Sequence, residues 1–270
     1  MIENTNLYTS HDFSFNQADS YTLLLQLNAT AFSYAVINDK QLLAWGENFN
    51  TDELKNPEKL SNILTANFKL VIAGLKSDIF TLLPRSLYDN SRLTDAARLL
   101  DVQEHEKVGF QVIDDNNIIA YKADRVVTQI INDFHNPVLC NADAGWIKAI
   151  GLNYPSNNTL YLNISNETVS IVNYKFSKLR FYNTFSFKNH EELAYFCALV
   201  ATELELKPQN VKLLISGKIN STDVSFNYLK DFFGEVTLNG VTVLDLPSDV
   251  KPHQILNLSA LSLCVSSEEN

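Results

Sequence analysis

The sequence predicts an α/β protein of two similar halves, each a mixed sheet with flanking helices. Three observations predict it. Short apolar, β-branched and aromatic runs alternate with segments of helical periodicity. The strand-like runs of the second half follow the order of those in the first. Apolar residues make up 46% of the 270, enough for a core in each half.

The elements follow in order. Residues 1–19 form a lead-in with an edge strand at most. Tyr21–Ile37 (YTLLLQLNATAFSYAVI) holds two strand-like runs split by Asn28-Ala29, and QLLAWGENF follows the turn signal Asn38-Asp39-Lys40; together they predict a three-stranded meander. Residues 52–66 read as a helix with Leu60, Ile63 and Leu64 on one face. KLVIAG (Lys69–Gly74) is a buried strand and IFTLLP (Ile79–Pro84) a further one. Ser91–Leu100 is helical, and two strands flank the hairpin signal Asp114-Asp115-Asn116-Asn117. A helix over Asp124–Phe134, a strand PVLC (Pro137–Cys140) and a helix Ala142–Ile150 close the first half. Gly151–Asn158 collects Gly, Pro, Ser and Asn and marks a boundary, giving domains 1–152, with an insertion around 84–135, and 153–270.

The pattern then restarts. TLYLNIS, ETVSIVNYK and KLRFYNTFSF predict three strands, Asn189–Leu206 a long helix, and VKLLISG (Val211–Gly217) a buried strand. A helix at Thr222–Phe232, short strands at Glu235–Leu238 and Val241–Leu244, and a closing segment His253–Val265 complete the chain. At an offset of 137, Leu25, Leu27, Phe32, Ser33 and Tyr34 meet Leu162, Ile164, Val169, Ser170 and Ile171; at 143, KLVIAG meets KLLISG. Order and spacing kept together predict an internal duplication.

Composition excludes several function classes. With 21 basic and 31 acidic residues, net −10, the chain lacks the basic face that nucleic acid or an anionic membrane requires. Only 8 Gly occur, where average usage near 7% gives about 19; there is no GxGxxG and no P-loop. Cys140, Cys197 and Cys264 lie far apart with no CxxC, which predicts buried reduced thiols in a cytoplasmic protein. The polar, acidic start is unlike a signal peptide, and no apolar run reaches the roughly 20 residues that span a bilayer. Five His without HxxH spacing argue against zinc. His135, Cys140 and Asp143 lack the Gly-rich elbow of a thiol nucleophile, and Asp114-Asp115 are explained by a hairpin tip.

The paired hairpins LQLNATAFSYAV and LNISNETVSIVN, and LLISG followed by LSALSLCV, carry a resemblance. The chain resembles an uncharacterised bacteroidete family with the actin-like ATPase fold, two duplicated ribonuclease-H-like subdomains with five-stranded mixed sheets. It is more distantly similar to actin-like assembly proteins of type IV pilus and type II secretion systems. The resemblance covers residues 20–265 and implies where a nucleotide site would lie. The phosphate-binding turns fall at Asn28 and Thr30 and at Ser165 and Asn166; the adenosine-side strand end falls at Gly217 and Lys218. In active members these turns carry Asp and Gly. Here neither phosphate turn has a Gly or an Asp at the family position, and the adenosine turn has a single Gly. The implied protein is a pseudo-ATPase, with no cofactor, ATP and Mg²⁺ included, and no catalytic or metal-binding residue.

Three function readings follow. The first is a non-catalytic interaction or assembly module with a protein partner or a second copy of itself; KLRFYNTFSF, apolar through Phe181, Phe185 and Phe187 on one face and Tyr182 on the other, is either core or interface. The alternative is an atypical nucleotide-binding ATPase or sugar-kinase-like enzyme using the interdomain cleft, with Asp12 or Asp143 as its carboxylate. A small-molecule binder reusing that cleft is a third option.

Overall fold

The computed structural model describes residues 5–28, 30–88 and 93–265. These divide into two compact units. Unit 1 comprises the described residues of 1–146, 243–248 and 258–270; unit 2 comprises 147–242 and 249–257.

Unit 1 opens with β1 (Thr5–Thr9), a 3-10 turn at Phe15–Ser20, and the meander β2 (Thr22–Leu27), β3 (Ala31–Asn38) and β4 (Gln41–Asn50). Then come α1 (Asp52–Lys55), α2 (Ser61–Leu64), β5 (Leu70–Leu75), β6 (Phe80–Pro84), α3 (Leu93–Leu99), β7 (Glu106–Val112), β8 (Asn117–Asp124), α4 (Arg125–Asn132) and β9 (Pro137–Asn141). Helix α5 (Ala144–Leu152) starts in unit 1 and runs on into unit 2, which begins at Ile147. The main sheet runs β1-β4-β3-β2-β5-β9, with β2, β5 and β9 mutually parallel. The central strands are apolar on both faces because both are covered: Leu23, Leu24 and Leu25 are each inaccessible. Each such side chain contributes about 1.5–3 kcal/mol over its exposed state. The region of the insertion folds as a separate sheet, β6-β8-β7. Its hairpin tip is held by Asp114 Oδ1, which accepts the Asn116 and Asn117 N–H groups, both at 2.8 Å. Asp124 caps α4 by accepting from Val126 and Val127.

Unit 2 contains β10 (Thr159–Ile164), β11 (Thr168–Lys175), β12 (Lys178–Ser186), α6 (His190–Glu203), β13 (Lys212–Gly217), α7 (Val224–Leu229), β14 (Glu235–Leu238) and α8 (Pro252–Ser259). Its sheet runs β12-β11-β10-β13-β14, again with the first three strands antiparallel in sequence and the last two parallel to β10. Leu162, Ile171, Leu193, Cys197, Leu213, Ile215 and Leu229 pack its core, all inaccessible to solvent. Among the described residues the order β4-β3-β2-β5-β9 of unit 1 recurs as β12-β11-β10-β13-β14, with the same pairing directions.

Two expectations need correction. The helix over 52–66 is two four-residue helices, because Pro57 cannot donate an i→i−4 bond and restricts the residue before it. Leu60, Ile63 and Leu64 are nonetheless buried. Val241–Leu244 is not a strand. Asp245 instead makes an isolated parallel bridge to Gln41, its N–H donating to Lys40 O at 2.7 Å. The start of the Ser91–Leu100 helix lies outside the described residues.

Candidate functional site

In open α/β sheets ligands gather beyond the carboxyl ends of the parallel strands. In unit 1, Leu27, Leu75 and Asn141 end β2, β5 and β9 in register. The residues that follow them therefore share one end of the sheet: the Asn28–Thr30 turn, Lys76, and Ala142-Asp143. In unit 2, Ile164 is in register with Gly217, and Ile215 with Leu238. That brings Ser165 and Asn166, Gly217 and Lys218, and Asn239 to one end of its sheet. The six residues singled out from the sequence thus form two groups, one per unit.

The two hairpin turns are built alike. Asn28 N–H donates to Ala31 O and Ser165 N–H to Thr168 O, each at 2.9 Å. In unit 1 the Asn28 side chain turns inward on its own loop: Oδ1 accepts from Thr30 N–H (3.0 Å) and Ala31 N–H (2.7 Å). Ala29 lies outside the described residues. In unit 2 the hydroxyls of Ser165 and Thr168 meet at 2.5 Å, and the exposed Glu167 stands at the tip beside Asn166. An anion needs N–H groups directed at it; the described donors of the first turn are spent locally, and the second presents a carboxylate.

Behind each turn the next parallel strand closes in the same way. Lys76 N–H donates to Leu27 O and Lys218 N–H to Ile164 O, both at 2.8 Å. This pairs Lys76 with Lys218, 142 residues apart, so the strand equivalence sits one residue off the KLVIAG/KLLISG alignment. Gly217 takes φ +94°, and a Cβ there would lie 2.0 Å from Ile164 O. Only glycine lets the chain approach β10 this closely.

Lys76 is the main residue the sequence reading missed. Its ammonium stands 3.9 Å from Asp143 Oδ2, and the two side chains are 14% and 4% exposed. Asp143 N–H donates to Asn141 Oδ1 (3.0 Å), as Val241 N–H does to Asn239 Oδ1 (3.0 Å). Both asparagines are 2% exposed, and Asn239 Nδ2 donates to Ser216 Oγ at 3.1 Å. Asp12 is placed elsewhere. It is exposed beyond β1, which runs antiparallel to β4 with Thr9 opposite Ala44, toward the sheet end remote from the Asn28 turn. The loop after Lys218 is tied to α8: His253 Nε2 bonds Ile219 O at 3.0 Å, and burial holds this imidazole below its ordinary pKa. Among the described residues no group of three or more His, Cys, Asp or Glu could hold a metal ion. No helix among them is long and apolar enough to cross a membrane.

The family described as Protein of unknown function (DUF3822) matches residues 10–236. The chain belongs to this family. No curated protein matches it. Among solved structures, a Bacteroides thetaiotaomicron protein with actin-like ATPase fold and unknown function is similar at TM-score 0.74 and 17% identity. That match covers 94% of this chain and 99% of the other. The PilM-PilN type IV pilus biogenesis complex contains a chain similar at TM-score 0.65 and 12% identity, over 91% and 98% of the two. The cytoplasmic domain of EpsL, an inner membrane component of the type II secretion system of Vibrio cholerae, matches at TM-score 0.49 and 14% identity, over 90% and 95%. At 17% identity the first of these likenesses establishes the actin-like ATPase fold and nothing beyond it.

Proposed function

We propose that this DUF3822 protein is a non-catalytic, cytoplasmic interaction or assembly module on a duplicated actin-like fold, its phosphate-binding turns eroded. One observation carries the reading: the Asn28 turn directs its described backbone donors onto its own side chain and carbonyl. A loop that satisfies itself has nothing to gain from a phosphate. Glu167 in the second turn adds like-charge repulsion, and the pilus relative supports assembly by analogy of fold alone. Calorimetric titration with ATP and ADP, with and without Mg²⁺, tests this. The expected result is no heat and no thermal shift at millimolar nucleotide. Binding tighter than about 100 μM that is abolished in Asn28→Arg or Ser165→Arg would overturn it.

A specific observation favours the second reading, an atypical nucleotide-binding protein. Lys76 and Asp143 form a buried charged pair at the carboxyl ends of β5 and β9, a place where ligands bind in such sheets. Under the first reading this pair is structural. Asp143→Asn then costs about 1–2 kcal/mol of unit 1 stability, because Lys76 loses a partner it meets without a close hydrogen bond. Urea unfolding reads that loss. A nucleotide affinity present in the wild type and absent in a still-folded Asp143→Asn would instead select the second reading.

A further inference from the structure

The most prominent unassigned feature is the outer edge of β12. In unit 1 the matching strand β4 is covered by β1, paired antiparallel from Thr5 opposite Glu47 to Thr9 opposite Ala44. Among the described residues no strand covers β12, which ends its sheet. At nine residues it is the longest of the sheet-ending strands described. A long open edge presents a row of backbone donors and acceptors to any extended chain. One donor on this strand is taken locally, Thr184 N–H by Asn183 Oδ1 at 2.9 Å.

The side chains along the edge are selective. On the face shared with Val169 and Ile171, Phe181 and Phe185 are only half-buried. Phe185 stacks on Phe196 of α6, ring centroids 4.9 Å apart. Phe196 in turn meets Tyr195 at 5.4 Å, and Tyr195 is 61% exposed. The strand and its flanks are basic in an acidic protein: from Thr168 to His190 the chain carries Lys175, Lys178, Arg180 and Lys188 and no acidic residue. Glu191 and Glu192 follow, one beside His190 at 3.1 Å and the other accepting Lys188 N–H at 2.8 Å.

The charge pattern chooses among occupants. If a second copy paired antiparallel about Tyr182, Lys178 would face Ser186, and Lys188 would lie near the partner copy's residues 175 and 176. Positive charge would then meet positive charge at both ends. Lysines that only kept edges apart would need no half-open aromatic row beside them. We propose that β12 receives an extended segment of a partner protein as an added strand, acidic on one face and apolar on the other, with its apolar side chains over Phe181, Phe185 and Phe196. This deepens the interaction reading above and rests on it.

The test uses the full chain and two acetylated eight-residue peptides, one alternating Glu with Val and one alternating Lys with Val. Hydrogen–deuterium exchange should show slowed exchange confined to residues 178–186 with the acidic peptide. The acidic peptide should bind at least about tenfold tighter than the basic one, and weaken severalfold as salt rises from about 50 to about 300 mM. Lys178→Glu/Arg180→Glu, both on the edge and away from the core, should lose about tenfold in affinity with its thermal midpoint kept. Phe185→Ser should lose affinity without reversing the preference for charge. Equal protection by both peptides, protection elsewhere, or none with either would overturn the proposal. So would a dimer in sedimentation whose 178–186 amides are protected without peptide. None of these outcomes bears on the nucleotide titration, which alone decides the parent reading.

Discussion

Gly217→Ala is expected to destabilise unit 2 by about 3–5 kcal/mol, one of the largest effects of any single methyl in this chain. Two independent penalties add. At φ +94° an L-residue is strained whatever the space. The new Cβ would also sit 2.0 Å from Ile164 O and 2.9 Å from Ile164 C and Asn163 Oδ1. The first two of these are backbone atoms of β10, so no rotamer change relieves the overlap. The chain must instead pull back from β10 and lose the bond from Lys218 N–H to Ile164 O. Gly240→Ala is the control: no atom lies within 4 Å of its Cβ position, so a change within about 0.5 kcal/mol is expected. Urea unfolding of both variants checks the contrast. Equal, small losses would show that the turn after β13 yields easily and that Gly217 is not what holds it.

The meander strands were legible in the sequence because each is an apolar run bounded by turn residues whose chemistry is local. Asn28 and Asp114 hold their turns through their own carboxamide and carboxylate oxygens, so spacing and residue type were sufficient. The helix over 52–66 failed because periodicity outweighed a single proline. Val241–Leu244 failed because a short apolar run does not reveal whether a neighbour has a free edge to pair with. The site was half legible. The hairpin turns follow from aligning the chain with itself at an offset of 137, and the pairing at that offset is alike: Leu27 faces Phe32 as Ile164 faces Val169. Lys76 was hidden because the identities between KLVIAG and KLLISG draw the alignment one residue away from the pairing that hydrogen bonds define. Asn141 and Asn239 were hidden for another reason. Asn is an ordinary loop residue, and only burial distinguishes these two. An Asn-x-Asp/Val step at the carboxyl end of the last parallel strand of each half was the available signal.

The second large effect is a loss of stability at high pH. Burial in the unit 2 core pushes the Cys197 thiol from an ordinary 9.0 up to about 12. Below pH 9 the thiol is protonated in folded and unfolded chains alike, and its ionisation contributes nothing. Above pH 9 the unfolded chain releases this proton and the folded one keeps it, so stability falls until pH reaches about 12. The loss from this one group is on the order of 4 kcal/mol when complete, and about 2 kcal/mol near pH 10.5. Tyr161 in the same unit is also raised by burial, and Tyr34 in unit 1 rises to about 12, so both units weaken over this range. Cys197→Ala isolates the thiol. At pH 8 it should cost about 1–2 kcal/mol for the emptied volume. At pH 10.5 that deficit should shrink to near zero or change sign, because the variant has no thiol to ionise on unfolding. Urea unfolding at the two pH values reads the difference directly. A deficit that stays constant would mean that Cys197 ionises without unfolding, and that the core between α6 and β13 admits water. Alkylation supplies an independent readout: iodoacetamide at pH 9 should leave Cys197 unmodified in the folded chain and modify it fully in urea.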